Sequence, residues 1–450
     1  MSIKAAFASF LGKSSYWFLH NFRSGGSSYP GKLATRIDPE ILRHLAENYD
    51  VIIVTGTNGK TMTTSLLTKI LKEQYPDVLT NPSGSNMLQG IVTSFLAAGP
   101  KPKGRKGLAV LEVDEANVEP VCRQLTPTAF LLTNIFRDQM DRYGEIYTTY
   151  QKIVDGIKLA PQATIIANGD APIFNSKQLP NPIIYYGFAD SDKPDADLRA
   201  SFNSDGVLCP VCNHILHYHS ITYANLGDYF CPNCSFSRPE LTDAVTAVQE
   251  LRPTFSNFII NKQAFTIHVG GVYNIYNALA AYTTAKFLKI APESIAAAFN
   301  YDEQVFGRQE VIKLNGKHAT IILVKNPVGL NQVFDLIKTD PHPYSLGFLL
   351  NAHAADGKDT SWIWDGEFEQ LPFQDIPKII LGGERLKDIQ LRFKVAGANA
   401  DSIVATQDLT DFITQAGEVP DEHIYILTTY TAMLALRKQL ANQGIIPAGF

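Results

Sequence analysis

The chain has 450 residues, more than one hydrophobic core ordinarily serves, so two or three domains are expected. Its 45% hydrophobic and 18% charged residues suit a globular enzyme, and a net charge of −5 argues against a nucleic-acid binder. No run approaches the roughly 18 apolar residues that span a bilayer, and no secretory signal pattern opens the chain.

Ile3, Ala6, Phe7, Phe10 and Leu11 share one helical face, and Tyr16 to Leu19 and Phe22 follow. This fits either an interfacial helix or one packed on the next domain, and the few cations on its polar face favour packing. A Gly/Ser/Pro-rich turn covers residues 25–31. Val51–Val54 then reads as a strand that runs into Thr55-Gly56-Thr57-Asn58-Gly59-Lys60-Thr61 and a helical pattern with Leu66, Leu67, Ile70 and Leu71. Strand, glycine-rich turn and helix form the setting of a phosphate-binding loop. Two residues separate its glycines where four are usual. Lys60 would reach the outer phosphates of a nucleotide, and the Thr61 hydroxyl would ligate Mg²⁺.

Further strands are expected at Leu108–Val113, Ala129–Thr133 and Thr164–Ala167, with helices between, so the fold reads as α/β with a mostly parallel sheet. Ligands of such sheets sit at the carboxyl ends of the strands, where Glu112, Asp114, Glu115, Asn134, Asn168 and Asp170 fall. Glu112 can hold Mg²⁺ against the phosphates. Cys122 lies in no nucleophile elbow and reads as a buried structural thiol.

Cys209-Pro210-Val211-Cys212 and Cys231-Pro232-Asn233-Cys234, 18 residues apart, have the spacing of a four-cysteine zinc ribbon inserted over about 199–238. Four thiolates leave no open position on Zn²⁺, which makes the site structural, and His214, His217 and His219 are surplus to it. Cysteines used this way suit a reducing cytoplasm. Helical periodicity returns at Tyr273–Leu288. A second α/β block follows, with strands expected at Thr320–Val324, Ser345–Leu350, Ile379–Leu381, Ser402–Ala405 and His423–Leu427. The divisions are thus a helical segment 1–45, a nucleotide-binding domain 46–308 and a C-terminal domain 309–450.

Thr55–Thr61, Glu112, Thr133-Asn134-Ile135, Asp138, Asn168-Gly169-Asp170, Gly271-Val272-Tyr273-Asn274 with Asn277–Ala281, and Gly307-Arg308-Gln309-Glu310 resemble, in order, the landmarks of the Mur ligase family. The resemblance implies a central ATPase domain and a Rossmann-like C-terminal domain. It implies ATP-dependent amide formation, in which a carboxylate is phosphorylated and an amine attacks the acyl phosphate. Asn274 would lie near the adenine and Arg308 at the hinge between domains. Two departures stand out. The family's Asp-His-Leu-Asp reads Asp138-Gln139-Met140-Asp141, and its His-Asn-Pro reads Lys325-Asn326-Pro327. Only about 50 residues precede the phosphate loop, so the family's UDP-binding domain is not expected.

The cysteine insert, the short N-terminal segment and Asn351–Asp359 resemble one branch of the family, ligase subunits acting on lipid II at the inner face of the plasma membrane. That branch amidates the α-carboxylate of D-glutamate in the stem peptide. Its ammonia comes from glutamine, hydrolysed by a partner amidotransferase subunit in a heterodimer. Peripheral membrane contact would come through the substrate alone. An aspartate of the ligase subunit completes the partner's Cys–His pair, and Asp356 is the matching position. By itself Asp356-Gly357 reads as a turn. A free-standing ligase that adds an amino acid, like folylpolyglutamate synthase, and an ATP-binding scaffold without chemistry are the rival readings.

Overall fold

The structure, a computed structural model, describes residues 3–22, 28–81, 84–99, 106–138, 145–189, 197–200, 206–300 and 309–447. Continuous apolar runs make its first strands: β1 (Tyr49–Thr55), β2 (Leu79–Thr80), β3 (Gly107–Glu112), β4 (Ala129–Leu132), β5 (Thr164–Asn168) and β6 (Ile183–Phe188). A separate hairpin, β7 (His217–Tyr223) and β8 (Leu226–Phe230), precedes β9 (Asp243–Leu251), β10 (Ser256–Ile260) and β11 (Gln263–Ile267). Among the described residues the first sheet has nine strands in the order β11-β10-β9-β6-β5-β4-β1-β3-β2. The segment from β2 to β9 is parallel, and β10 and β11 extend it antiparallel. β1, β3 and β4 are buried along nearly their whole length, as strands covered on both faces must be. The strands read from sequence in this half coincide with β1, β3, β4 and β5 to within two residues.

The second sheet holds β12 (Glu310–Leu314), β13 (Lys317–Leu323), β14 (Tyr344–Leu349), β15 (Ile379–Gly382), β16 (Ile403–Ala405) and β17 (His423–Thr428). Its order is β12-β13-β17-β14-β15-β16, parallel except for the edge strand β12. One face is packed by Phe334, Phe348, Phe368 and Phe393, and the other by Phe412, Met433 and Leu436. Parallel strands deliver their carboxyl ends to one edge. In the first sheet that edge carries the phosphate loop, Glu112 and Asn134. In the second it carries Lys325-Asn326 after β13, the loop to Asp356 after β14, and Thr429-Tyr430 after β17. The two edges face each other across one cleft.

The helix Ile3–Phe22 does pack on the neighbouring domain, against the helices Tyr29–Ile37 and Leu88–Ala98. It packs through its small residues. Ala5, Ala8, Ser9 and Gly12 are buried, and a Cβ on Gly12 would lie 2.6 Å from Leu96 Cδ1. Phe7, Phe10, Trp17 and Phe18, the residues that suggested a packing face, are exposed.

Candidate active site

The turn after β1 needs both of its glycines. Gly56 (φ 130°) and Gly59 (φ 86°) occupy backbone conformations that side chains disfavour. A Cβ on Gly56 would lie 2.3 Å from Thr133 Oγ1, and one on Gly59 2.1 Å from Asn277 Oδ1. The end of β4 shapes the turn: Thr57 N donates to Asn134 O (2.8 Å) and Asn58 N to Asn134 Oδ1 (2.9 Å). Thr133 Oγ1 and Asn134 Nδ2 both donate to Asn58 O (2.8 and 3.0 Å). Thr133 and Asn134 thus build the loop. The helix Lys60–Lys72 starts with no side chain capping it, which leaves its positive end to an anion.

Thr61 Oγ1 donates to Glu112 Oε2 at 2.8 Å, so the two oxygens expected to hold Mg²⁺ stand side by side at the ends of neighbouring elements. Asn81 fixes Glu112 by pairing with both its backbone N–H and C=O (2.9 Å each), and Asn86 Nδ2 donates to Glu112 Oε1 (3.3 Å). This hard-oxygen set fits Mg²⁺. Lys60 Nζ folds back onto Gly56 O and pairs with Glu115 Oε1 at 3.3 Å. Burial pulls the Lys60 ammonium down, but Glu115, Glu112, Asp114 and Asp138 outweigh it and hold its pKa above the ordinary lysine value. Burial raises the Glu115 carboxyl, with Lys60 pulling back. Glu115 was legible only as a polar residue near a strand end. Its pairing with Lys60 needed the short 3₁₀ turn Glu115–Asn117, which Asp114 caps.

The second sheet closes on this loop. Lys325 Nζ donates to Thr57 O (3.2 Å) and pairs with Asp138 Oδ2 (2.6 Å). Asn326 and Asn58 exchange amide hydrogen bonds of 2.9 and 3.2 Å. Asp138 lines the cleft, and its buried Oδ1 has no hydrogen-bond partner among the described residues, the kind of acceptor that a ligand satisfies. Asp356 is buried, its carboxylate accepting from His353 N (3.0 Å), Thr431 N (2.7 Å) and Thr431 Oγ1. It lines the phosphate cleft and also a neighbouring cavity with Arg137, Asp359, Trp362 and Asp365. Asp138, Lys325 and Asp356 are common to both. Gln139, Asp141 and Arg308 lie outside the described residues, as does the division at 308.

On the other side of the loop a mostly apolar pocket lies between the sheets, lined by Met62, Tyr223, Tyr273, Asn274, Val324 and Val328 among others. Asn274 is buried, donating to Gly270 O (2.7 Å) and accepting from Asn277 Nδ2 (3.1 Å). Gln309, adjacent to Arg308, clamps the Gly270 N–H and C=O (3.0 and 2.8 Å) from a left-handed φ of 55°. That places strained backbone where the two sheets join.

Tyr223 comes from the cysteine-bearing insert. The Sγ atoms of Cys209, Cys212, Cys231 and Cys234 all lie within 4.8 Å of one another, with 3.6 Å between Cys209 and Cys234 and 3.4 Å between Cys212 and Cys231. A tetrahedral Zn–S distance of about 2.3 Å requires sulfurs about 3.8 Å apart, so the cluster fits the metal. None of the three histidines joins it: His217 pairs with Asp197 and His219 stacks on Phe230. Asp170 is withdrawn from the cleft. Its carboxylate accepts from Arg238 (2.9 Å), Tyr276 OH (2.6 Å) and Phe188 N (2.7 Å), which ties the insert to the sheet.

Comparison with known proteins agrees with this geometry. Residues 54–285 match the Mur ligase middle domain, and residues 323–433 match the MurT ligase C-terminal domain. The fold is that of a pseudomurein peptide ligase type C from Methanothermus fervidus (TM-score 0.65, 19% identity, 90% of this chain and 81% of that one). It is also that of MurF from Thermotoga maritima, solved with ADP (TM-score 0.60, 13% identity, 91% and 85%). The chain belongs to the Mur ligase family. Within it the chain falls with the MurT subunits of lipid II isoglutaminyl synthase (glutamine-hydrolyzing). It is 48% identical to that of Streptococcus pneumoniae over 99% of both chains, and 35% identical to that of Staphylococcus aureus over 84% and 85%.

Proposed function

We propose that this chain is the ATP-dependent ligase subunit of a lipid II isoglutaminyl synthase, converting the α-carboxylate of D-glutamate in the stem peptide to the amide of D-isoglutamine. The observation that carries the chemistry is the seating of Lys325-Asn326 on Thr57-Asn58, which brings the second sheet over a loop built for phosphates. ATP would occupy that loop, with its base in the pocket lined by Asn274, Tyr273 and Tyr223. Gly56, Thr57, Asn58 and Gly59 would surround the phosphates. Lys60 would turn from Gly56 O to the transferring phosphoryl group and balance its charge. A bound Mg²⁺, held by Thr61 and Glu112, would neutralise the β- and γ-phosphates.

The substrate carboxylate attacks the γ-phosphorus, ADP leaves, and ammonia displaces phosphate from the acyl phosphate. Closure of the cleft keeps water from that intermediate. The Lys325–Asp138 pair, in place of the family's histidine, holds the closed arrangement. Zn²⁺ on Cys209, Cys212, Cys231 and Cys234 would be structural.

The chain's thiols support a separate ammonia source. Four of the five cysteines face one another in a cluster with metal-ligand spacing, and burial pushes the remaining thiol, Cys122, up to about 12, so the one cysteine outside the cluster is no activated nucleophile for glutamine hydrolysis. A GatD-like glutamine amidotransferase would form the heterodimer and supply ammonia, with Asp356 orienting its histidine. The complex would work in the cytoplasm, at the inner face of the plasma membrane. The test supplies the purified chain with ATP, Mg²⁺, lipid II and high ammonium, without a partner. Amidated lipid II is expected. Product with an amino acid but none with ammonium would instead establish an amino-acid-adding ligase.

A further inference from the structure

The helix Ile3–Phe22 packs with the wrong face outward for a soluble docking helix. Its inward face is Ala5, Ala8, Ser9 and Gly12, and its outward face is large and apolar: Ile3 is 93% exposed, Phe10 65% and Trp17 61%, with Phe7 and Phe18 beside them. At about 100° per residue these five share one face, and Lys4 and Lys13 stand roughly a quarter turn to either side of it. Aromatic rings flanked by cations long enough to reach headgroups are what an interfacial helix presents to lipid. The charge around it agrees. The first 37 residues contain five Lys and Arg and no Asp or Glu, in a chain whose net charge is −5. Lys32, Arg36 and Tyr29, on the next helix, are also exposed. No described helix is long and apolar enough to cross a membrane.

We infer that this face lies in the surface of an anionic bilayer and holds the ligase there. The inference deepens the reading of the substrate as lipid-borne, and rests on it for its purpose. Placement relative to the site supports it. The anchor lies on the helix Leu88–Ala98, which begins beside Asn86 and Met87 in the phosphate cleft and is only about 16 Å long. A lipid-linked peptide would therefore meet the cleft within reach of the surface that the anchor touches. Lipid is the occupant argued for here, because a cationic, acid-free surround fits phospholipid headgroups and repels a second copy of itself.

The experiment is co-sedimentation of the full complex with vesicles of phosphatidylcholine alone and with 30 mol% phosphatidylglycerol, both free of lipid II. Binding should appear with phosphatidylglycerol and weaken with salt. Phe7→Ser/Phe10→Ser/Phe18→Ser should lower it at least about tenfold, while the melting temperature and the ammonium-dependent amidation of a short-chain, soluble lipid II analogue stay unchanged. Lys4→Glu/Lys13→Glu should remove the phosphatidylglycerol dependence. Absence of vesicle binding by the native complex, or equal binding by the triple variant, overturns the inference. So does a triple variant that loses self-association or partner binding instead. Vesicle binding without amidation would leave the anchor standing and remove only the ligase reading.

Discussion

Asn326 and Asn58, 268 residues apart, exchange two amide hydrogen bonds across the cleft. Asn326 serves a second purpose, since its Oδ1 accepts from Gly329 N at 2.8 Å and caps the helix Pro327–Ile337. Aspartate is an equally good cap but cannot donate to Asn58 Oδ1, and it brings a negative charge towards the phosphate loop. Asn326→Asp should therefore leave the melting temperature within about 2 °C while weakening closure. Loss of one charge-independent bond of about 1–1.5 kcal/mol predicts roughly a tenfold lower kcat. The fraction of ATP hydrolysed without amide formed should rise, because the acyl phosphate is less well shielded. Unchanged coupling would remove this pair from closure.

Glu112→Gln tests the metal pair. The amide can still meet Thr61 Oγ1, and Asn81 still holds the backbone, so the fold should persist. Replacing a charged ligand by a neutral one removes about 1.5–3 kcal/mol. The Mg²⁺ concentration for half-maximal activity should rise by roughly 10- to 100-fold, with activity partly recovered at high Mg²⁺. A drop in kcat at unchanged Mg²⁺ dependence would point to another role.

These two sites differ in how far sequence alone could reach them. Thr55–Thr61 and the Glu112 strand end were legible because they are local: one apolar run, one turn, one helix start. The four cysteines were legible because ligand spacing is itself the signal. The partners Asn58–Asn326 and Lys325–Asp138 depend on how two sheets face each other, and no local pattern encodes a contact across 268 or 187 residues. Asp170 misled for a related reason. Its place after β5 is where ligands sit, but the insert covers it and Arg238 takes its charge. In the helix Ile3–Phe22 the size of the side chains misled. Gly12 permits a close approach to Leu96, so the small face packs and the large one is left out. β9 to β11 carry no such local signal: β9 joins the sheet beside β6, and β10 and β11 continue it antiparallel, with Asn261 and Lys262 at positive φ in the turn between those two.

Among the described residues of the insert, Tyr223 alone lines the pocket proposed for the nucleotide. Tyr223 ends β7, stacks its edge on Tyr276 (5.6 Å between centroids) and lines the pocket expected to hold the base. Cys209→Ser/Cys212→Ser should lower bound zinc and the melting temperature together. It should raise KM for ATP more than it lowers kcat, since the phosphate end of the site is untouched. Tyr223→Ala should reproduce the KM effect with full zinc content. A zinc-free protein with native KM would sever the insert from nucleotide binding.

Glu115 predicts a pH dependence of stability. Burial raises its carboxyl above the ordinary value of 4.5, so the folded chain keeps the proton to higher pH than the unfolded chain. The contribution to stability is complete below the unfolded value and is lost as pH rises through the folded one. Lys60 is also raised, so its contribution persists up to its ordinary value of 10.5 and is lost only above that. Urea midpoints of native protein and Glu115→Gln, compared between pH 4 and 7, should shift against the native protein as pH rises. Parallel curves would mean that Glu115 is ionised in the fold throughout.

Asp356 separates the two halves of the reaction. Its carboxylate is anchored by Thr431 N and Oγ1 and by His353 N, at the junction of the phosphate cleft and the neighbouring cavity. Asn at this position keeps an acceptor for Thr431 N, so the start of the helix Tyr430–Asn442 should survive, but it removes the negative charge that would steady a histidine cation in the partner. Asp356→Asn should cut glutamine-dependent amidation by on the order of 10²- to 10⁴-fold while leaving ammonium-dependent amidation within about threefold. Asp138→Asn is the counterpart, because Asp138 lines the cleft with an Oδ1 that no described residue satisfies, and it should depress both nitrogen sources equally. If Asp356→Asn also depressed both equally, its charge would be acting in the ligase cleft, on the incoming amine, and the partner would complete its own triad.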